Sequence, residues 1–158
     1  TGKKVFLVRN PLDLLISNYF YWKINLKQPI QQYIDLYITI FSKRYNYLNN
    51  IYIASPETTQ WLHYEHLKRN TEKTLKNVLN FMNIPLKEQA LECAIQASSK
   101  ETVKKFEEKG ILISTRHKSH IRSGKIGEWK DYLSAKDVKK VEMILKRFNI
   151  TLDSFILE

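Results

Sequence analysis

The run Val5-Phe6-Leu7-Val8, followed at once by Arg9-Asn10-Pro11, constrains this chain more than any other segment. Four successive apolar residues, two of them β-branched, are too few for a helix and read as a short buried strand over Lys4 to Val8. Asn10 is a good helix N-cap, and Pro11 suits the first helical position, where its missing N–H costs nothing, so a helix is expected from Pro11 to about Trp22. Strands separated by helices, the first of them a continuous apolar run, point to an α/β fold with a parallel sheet covered on both faces. Ligands in such folds sit at the carboxyl ends of strands, and Arg9 stands at such an end.

The helix after Arg9 is apolar almost all round, which normally means burial. Its exceptions, Asp13 and Ser17 with Asn18 beside them, share one face and need a partner, either a protein group or a ligand. A second, aromatic-rich helix is expected from Ile30 to about Tyr45. The stretch from Asn49 to Thr59 reads as a loop around Ser55-Pro56 that contains a short strand at Ile51-Tyr52-Ile53. Gln60 to Tyr64 is the next strand. Leu75, Val78, Leu79 and Met82 follow helical spacing and stop before Pro85, and a further helix spans roughly Lys87 to Ala97. Lys109 to Lys130 holds three of the four glycines and shows no period, so it reads as a long loop, of the kind that tends to carry function. Ser134 with Asp137 forms a capping box that starts a last helix with Val138, Val141, Leu145 and Phe148 on its core face.

With 158 residues, 43% of them hydrophobic and 12% aromatic, the chain can build one core. It starts at Thr1 and enters a core strand within three residues, so the expectation is a single domain over 1–158 that is N-terminally incomplete. No apolar run approaches the ~20 residues of a membrane span. The one cysteine, Cys93, cannot pair within the chain, and with Leu91 and Ile95 nearby it reads as a core thiol in a reducing, cytoplasmic setting. A net charge of +10 invites a nucleic-acid reading, but lysines such as Lys139, Lys140 and Lys146 are scattered over the exposed side of a helix, as on a solvated face. The same field favours any polyanion, including a nucleotide with several phosphates. His63/His66 and His117/His120 both have H-x-x-H spacing, yet one cysteine and two separated pairs form no recognisable zinc set, so no metal is expected.

Three segments carry a family likeness. Arg9-Asn10-Pro11-Leu12-Asp13 with Ser17 resembles the R-N-P-x-D-x-x-x-S segment of the sulfotransferases that use 3′-phosphoadenosine 5′-phosphosulfate (PAPS). Leu62 to Asn70, L-H-Y-E-H-L-K-R-N, is similar to that family's L-x-Y-E-D-L-K-x-N, and Ile121 to Lys130, I-R-S-G-K-I-G-E-W-K, resembles its R-K-G-x-x-G-D-W-K loop. The three occur in the family's order. The resemblance implies that Arg9 and Ser17 hold the cofactor's 3′-phosphate, that Arg122 and Gly124 close over it, and that Tyr64 contacts the adenine. Ser123 stands where many members have lysine. Ser98-Ser99-Lys100-Glu101 resembles a family S-S-F-E segment near the adenine, placing Ser99 there, with Lys100 where the stacking aromatic would be. Gly127 and Trp129 correspond to a turn and an anchoring aromatic, and Glu65 to a residue that orders the neighbouring turn.

The residue chemistry agrees. Arg9 offers a planar fork of donors just before a helix start whose N–H groups and dipole favour anions, and Ser17 lies about 9 Å further along that helix. The fold implied is a partial P-loop-like parallel sheet flanked by helices, with a helix-rich C-terminal part. The function implied is transfer of a sulfuryl group from PAPS to a hydroxyl or amine of a small-molecule, carbohydrate or lipid acceptor, leaving 3′,5′-bisphosphoadenosine (PAP). The family's phosphosulfate-cradling loop and catalytic histidine have no counterpart here, so no catalytic residue is assigned and this chain alone is expected to be inactive. The alternative is a non-catalytic nucleotide-binding module or a basic nucleic-acid-binding one. A kinase-like relative is disfavoured by the Arg122 loop.

Overall fold

The computed structural model describes residues 2–22, 28–109 and 123–155. Strand β1 (Lys4–Val8) leads through Arg9 and Asn10 into helix α1 (Pro11–Trp22), and α2 (Ile30–Ala54) completes the crossover to β2 (Thr59–His63). The strands pair in parallel, from Lys4 opposite Thr59 to Val8 opposite His63. Then follow α3 (Tyr64–Arg69), α4 (Thr71–Phe81), α5 (Glu88–Ala97), α6 (Lys100–Glu108), a 3₁₀ turn at Glu128–Asp131, α7 (Ala135–Lys146) and a 3₁₀ turn at Leu152–Phe155.

The core lies where α1, α2 and α7 meet: Leu15, Ile16, Ile34, Ile38, Val141 and Leu145 have no exposed surface, and Phe155 closes the end. α1 keeps its expected limits because Asn10 caps it, its Oδ1 accepting from Leu12 N at 2.9 Å. α7 begins with the expected capping box, Ser134 Oγ accepting from Asp137 N and the Asp137 carboxylate from Ser134 N. Val138 and Phe148 pack against the core half-buried.

Several expectations need correction. α2 continues to Ala54, so the expected loop from Asn49 and the strand at Ile51–Ile53 are helical instead. Tyr45 and Tyr52, seven residues apart on one face, sit 5.3 Å and 6.2 Å from the Trp61 ring; that packing outweighs the β-propensity of Ile-Tyr-Ile, and the helix stops only at Ser55, before Pro56. β2 runs one residue earlier than expected, and Tyr64 opens α3, which the sequence reading missed, as it missed α6. α4 starts earlier, at Thr71, and its last turn ends at Asn83 in the left-handed region, ahead of Pro85. Cys93 is exposed, not a core thiol. Leu91 and Ile95, four apart, share one face of α5, but Cys93, two from each, points to another side, and Leu91 alone on α5 is buried. β1 has one partner among the described residues, so Val8 alone of its residues is buried and Leu7 is 59% exposed.

Leu145→Ala should lower the unfolding free energy by about 2–5 kcal/mol, the usual result of opening a cavity in a packed core. Met143→Ala, on the exposed side of the same helix, should stay within about 0.5 kcal/mol. Urea denaturation of the two variants checks both.

Candidate functional site

The carboxyl ends of the two strands deliver two pairs of residues to one place: Arg9 and Asn10 from β1, Tyr64 and Glu65 from β2. Glu65, 4% exposed, fastens the first pair to the second, its Oε1 accepting from Asn10 N at 2.9 Å. The Arg9 guanidinium lies 4.5 Å from the centre of the Tyr64 ring, in cation–π contact.

Onto this corner folds the loop whose described part begins at Ser123. Three consecutive carbonyls of it are held by three different elements. Lys100 Nζ, from the start of α6, donates to Ser123 O at 3.1 Å, the Tyr64 hydroxyl to Gly124 O at 3.2 Å, and Arg9 Nη2 to Lys125 O at 3.0 Å. Gly124 has φ +66°, a left-handed conformation that favours glycine, although a Cβ there would make only an ordinary contact with the Tyr64 hydroxyl at 3.5 Å. The loop's next turn is held by its N–H groups. Asp13, 2% exposed on α1, accepts from Gly127 N at 2.6 Å through Oδ2 and from Trp129 N at 3.0 Å through Oδ1. Gly127 turns in the left-handed region, and Trp129 packs against the core.

The polar stripe of α1 thus finds its partners separately: Asp13 takes the loop, and Asn18 Oδ1 accepts from the Tyr33 hydroxyl of α2 at 2.6 Å. Ser17, half-buried between them in sequence, has no hydrogen-bond partner among the described residues. Ser123 gives its hydroxyl proton to the buried Glu128 carboxylate at 2.5 Å and accepts from Lys125 N. Ser99 caps α6, accepting from Thr102 N at 3.2 Å, and its neighbour Lys100 is the residue that reaches the loop. Arg122 lies outside the described residues. Arg9, Tyr64, Ser123 and Gly124 are therefore brought together. The sequence reading missed Asp13 as the loop's anchor and the Lys100 and Lys125 contacts; the one available signal was a carboxylate on an otherwise apolar helix.

Burial pushes the Tyr64 hydroxyl above its ordinary pKa, with Arg9 pulling the other way. Arg9 Nε is buried and has no protein partner. A cationic fork with one donor unsatisfied, beside a glycine turn and a helix start, suits an anion with several oxygens. Next to it opens a cavity of about 370 Å³, walled by apolar and aromatic residues such as Val8, Leu14, Phe41 and Trp61, with Arg9, Arg44 and Tyr64 as its polar groups. Among the described residues, no group of three or more His, Cys, Asp or Glu side chains could hold a metal ion.

Asp13→Ala leaves two loop N–H groups without acceptors, so the unfolding free energy should fall by at least ~2 kcal/mol and amide exchange at Gly127 and Trp129 should accelerate. Exchange rates that do not change would remove Asp13 as the anchor. His63 has its pKa lowered from 6.5, first by burial and then by His66, with Glu65 opposing. The unfolded chain then takes up a proton more readily than the folded one. His63's contribution to stability should be fully present above pH 6.5 and be lost as pH falls below it through the lowered pKa of the folded state, a loss that His63→Gln should abolish in pH-dependent thermal melts.

Comparison with known proteins adds to this geometry. The chain is 25% identical to sulfotransferase 2A1 of Mus musculus, over 92% of its own length and 55% of that protein. It is 23% identical to 3-alpha-hydroxysteroid sulfotransferase of Cavia porcellus, over 90% and 54% respectively. The chain spans about half the length of the curated relatives it matches. Among solved structures, mouse sulfotransferase SULT7A1 complexed with PAP superposes with a TM-score of 0.78 at 18% identity, covering 98% of this chain and 60% of that one. Retinol dehydratase in complex with androsterone and PAP superposes at 0.68 with 20% identity, covering 92% and 47%. Both share the fold. The family model described as the sulfotransferase domain matches residues 2–151, and the chain belongs to that family.

Proposed function

We propose that this chain is the cofactor-recognising part of a PAPS-dependent sulfotransferase and that the Arg9 corner takes the 3′-phosphate of the cofactor. The observation that carries the reading is Arg9 itself: a half-buried guanidinium whose Nη2 is fixed on Lys125 O while its buried Nε has no partner. Ser17, with its hydroxyl unengaged among the described residues, and Gly124, which leaves space for close backbone approach, are the other members of the phosphate set, together with Arg122. Tyr64 takes the adenine side, its hydroxyl fixed and one ring face against Arg9. Ser123 acts here through Glu128, closing the loop rather than reaching the phosphate, and Ser99 acts by starting α6 so that Lys100 meets the loop.

When bound, the cofactor supplies the sulfuryl group. The residues of this chain bind and orient it by its nucleotide end, so that binding energy gained far from sulfur positions the reacting bond. In this reading residues 1–158 form one domain together with the further length that the relatives have, and the groups that perform the transfer belong to that part. The acceptor is a small hydroxylated molecule, in keeping with relatives named for hydroxysteroids and a fold neighbour solved with androsterone. No helix among the described residues is long and apolar enough to cross a membrane, and we place the protein in the cytoplasm.

The test is selectivity for one phosphate. PAP should bind well and AMP poorly, and Arg9→Ala should weaken PAP binding by about 1.5–3 kcal/mol, roughly 10- to 150-fold, with little further effect on AMP. Equal losses for both nucleotides place Arg9 elsewhere. Steeply salt-dependent RNA binding, with no preference between PAP and AMP, favours a nucleic-acid module instead.

A further inference from the structure

Lys100 is the first residue of α6 and is half-buried. Among the described residues its ammonium has one partner, the Ser123 carbonyl at 3.1 Å, and no acid pairs with it. The acids of this corner are engaged with other groups: Asp13 with Gly127 N and Trp129 N, Glu65 with Asn10 N, and Glu128 with the Ser123 hydroxyl. Glu101, next in sequence, is exposed.

The fold alone gives little reason to hold a lysine in this way. The N-terminal end of a helix is the positive end of its dipole, where a cation is unfavourable. Fixing a long side chain on one neutral carbonyl barely offsets the rotamer freedom it loses. An ammonium carries three N–H donors, so after Ser123 O two remain for a group that the described residues do not supply.

The position of Lys100 indicates which group that is. Ser123 and Lys125 lie two residues apart, at most about 7 Å of chain. The carbonyl of the first holds Lys100, and that of the second holds Arg9. Between them Gly124 turns with φ +66°, its own carbonyl held by the Tyr64 hydroxyl. Two cations, neither neutralised by a carboxylate among the described residues, thus grip one glycine turn, and Arg9 Nε is buried without a partner. Like charges on so short a segment disfavour each other unless an anion lies beside both. A phosphate monoester suits them, because its terminal oxygens can accept from two cations at once.

We propose that Lys100 is a specificity-determining residue of the nucleotide corner, its ammonium reaching the 3′-phosphate from the α6 side while Arg9 reaches it from the end of β1. The proposal rests on the reading given for Arg9 and adds to it a second, independent cation from an element far away in sequence. The competing role is structural: Lys100 as a clamp that keeps the loop in place and never touches the ligand.

The experiment measures, by calorimetry on the full-length protein, the affinities for PAP and for AMP, which lacks the 3′-phosphate, and reads their ratio. Lys100→Gln keeps an N–H donor for Ser123 O but removes the charge, and should lower the ratio about tenfold or more, the loss of one charge-assisted contact. Lys100→Arg keeps both donor and charge and should retain most of the ratio. Lys105→Gln removes an exposed charge from the last turn of the same helix and should leave the ratio unchanged. The proposal is overturned if Lys100→Gln weakens PAP and AMP equally, which makes Lys100 a clamp on the loop only, or if Lys105→Gln lowers the ratio as much, which makes the effect one of overall charge. Arg9→Ala distinguishes this failure from that of the reading beneath it. If Arg9→Ala lowers the ratio and Lys100→Gln does not, Lys100 is excluded and the Arg9 reading stands; if neither lowers it, both are overturned.

Discussion

The Asp13 carboxylate sits under the loop it holds, almost wholly out of water, and the arrangement of the site depends on it. An ionised carboxylate in an interior is costly unless its lone pairs are met, and here two backbone N–H groups meet them. The same bonds satisfy donors that a glycine-containing turn would otherwise bury unpaired. Glu65, also buried, ties the end of β1 to the end of β2 through Asn10 N with its Oε1, while its Oε2 has no partner. Two buried acids thus join segments separated by 55 to 116 positions in sequence.

That arrangement resolves an apparent conflict. A site for an anion built over two buried negative charges would repel its ligand if those charges were unscreened. Asp13 is instead met by backbone N–H groups at both oxygens and Glu65 at one, and Arg9 and Lys100 donate to carbonyls of the loop that Asp13 holds. The cations are oriented by carbonyls rather than neutralised by carboxylates. A carbonyl fixes a guanidinium without removing its charge, so Arg9 keeps its field while losing its freedom.

How far the sequence revealed this depends on the range of the interaction. α1 was legible from Asn10-Pro11 to its end, and the start of α7 from Ser134 and Asp137, because caps are local and their partners lie within a turn. The end of α2 was not, because only contact with Trp61, on another element, decides whether Ile51-Tyr52-Ile53 is helix or strand. Cys93 was misplaced because apolar neighbours two positions away were read as sharing its face, which on a helix they do not. Within the site, Arg9, Tyr64 and Gly124 were legible through motif resemblance. Lys100 read as a departure from a pattern, and its contact with Ser123 O spans a gap of 23 residues that no local rule bridges.

The triple suspension of Ser123, Gly124 and Lys125 has a thermodynamic consequence. Fixing the backbone of one residue costs about 1–2 kcal/mol in conformational entropy, and a loop that orders only when its ligand arrives charges that cost against affinity. Here Arg9 just after β1, Tyr64 of α3 and Lys100 of α6 each contribute one donor to successive carbonyls, so the segment is ordered by the fold itself. In the proposed reading, affinity at this corner is governed by preorganisation: the ligand meets a surface whose shape was already set when the chain folded, and its contacts need not first repay the ordering of those three residues.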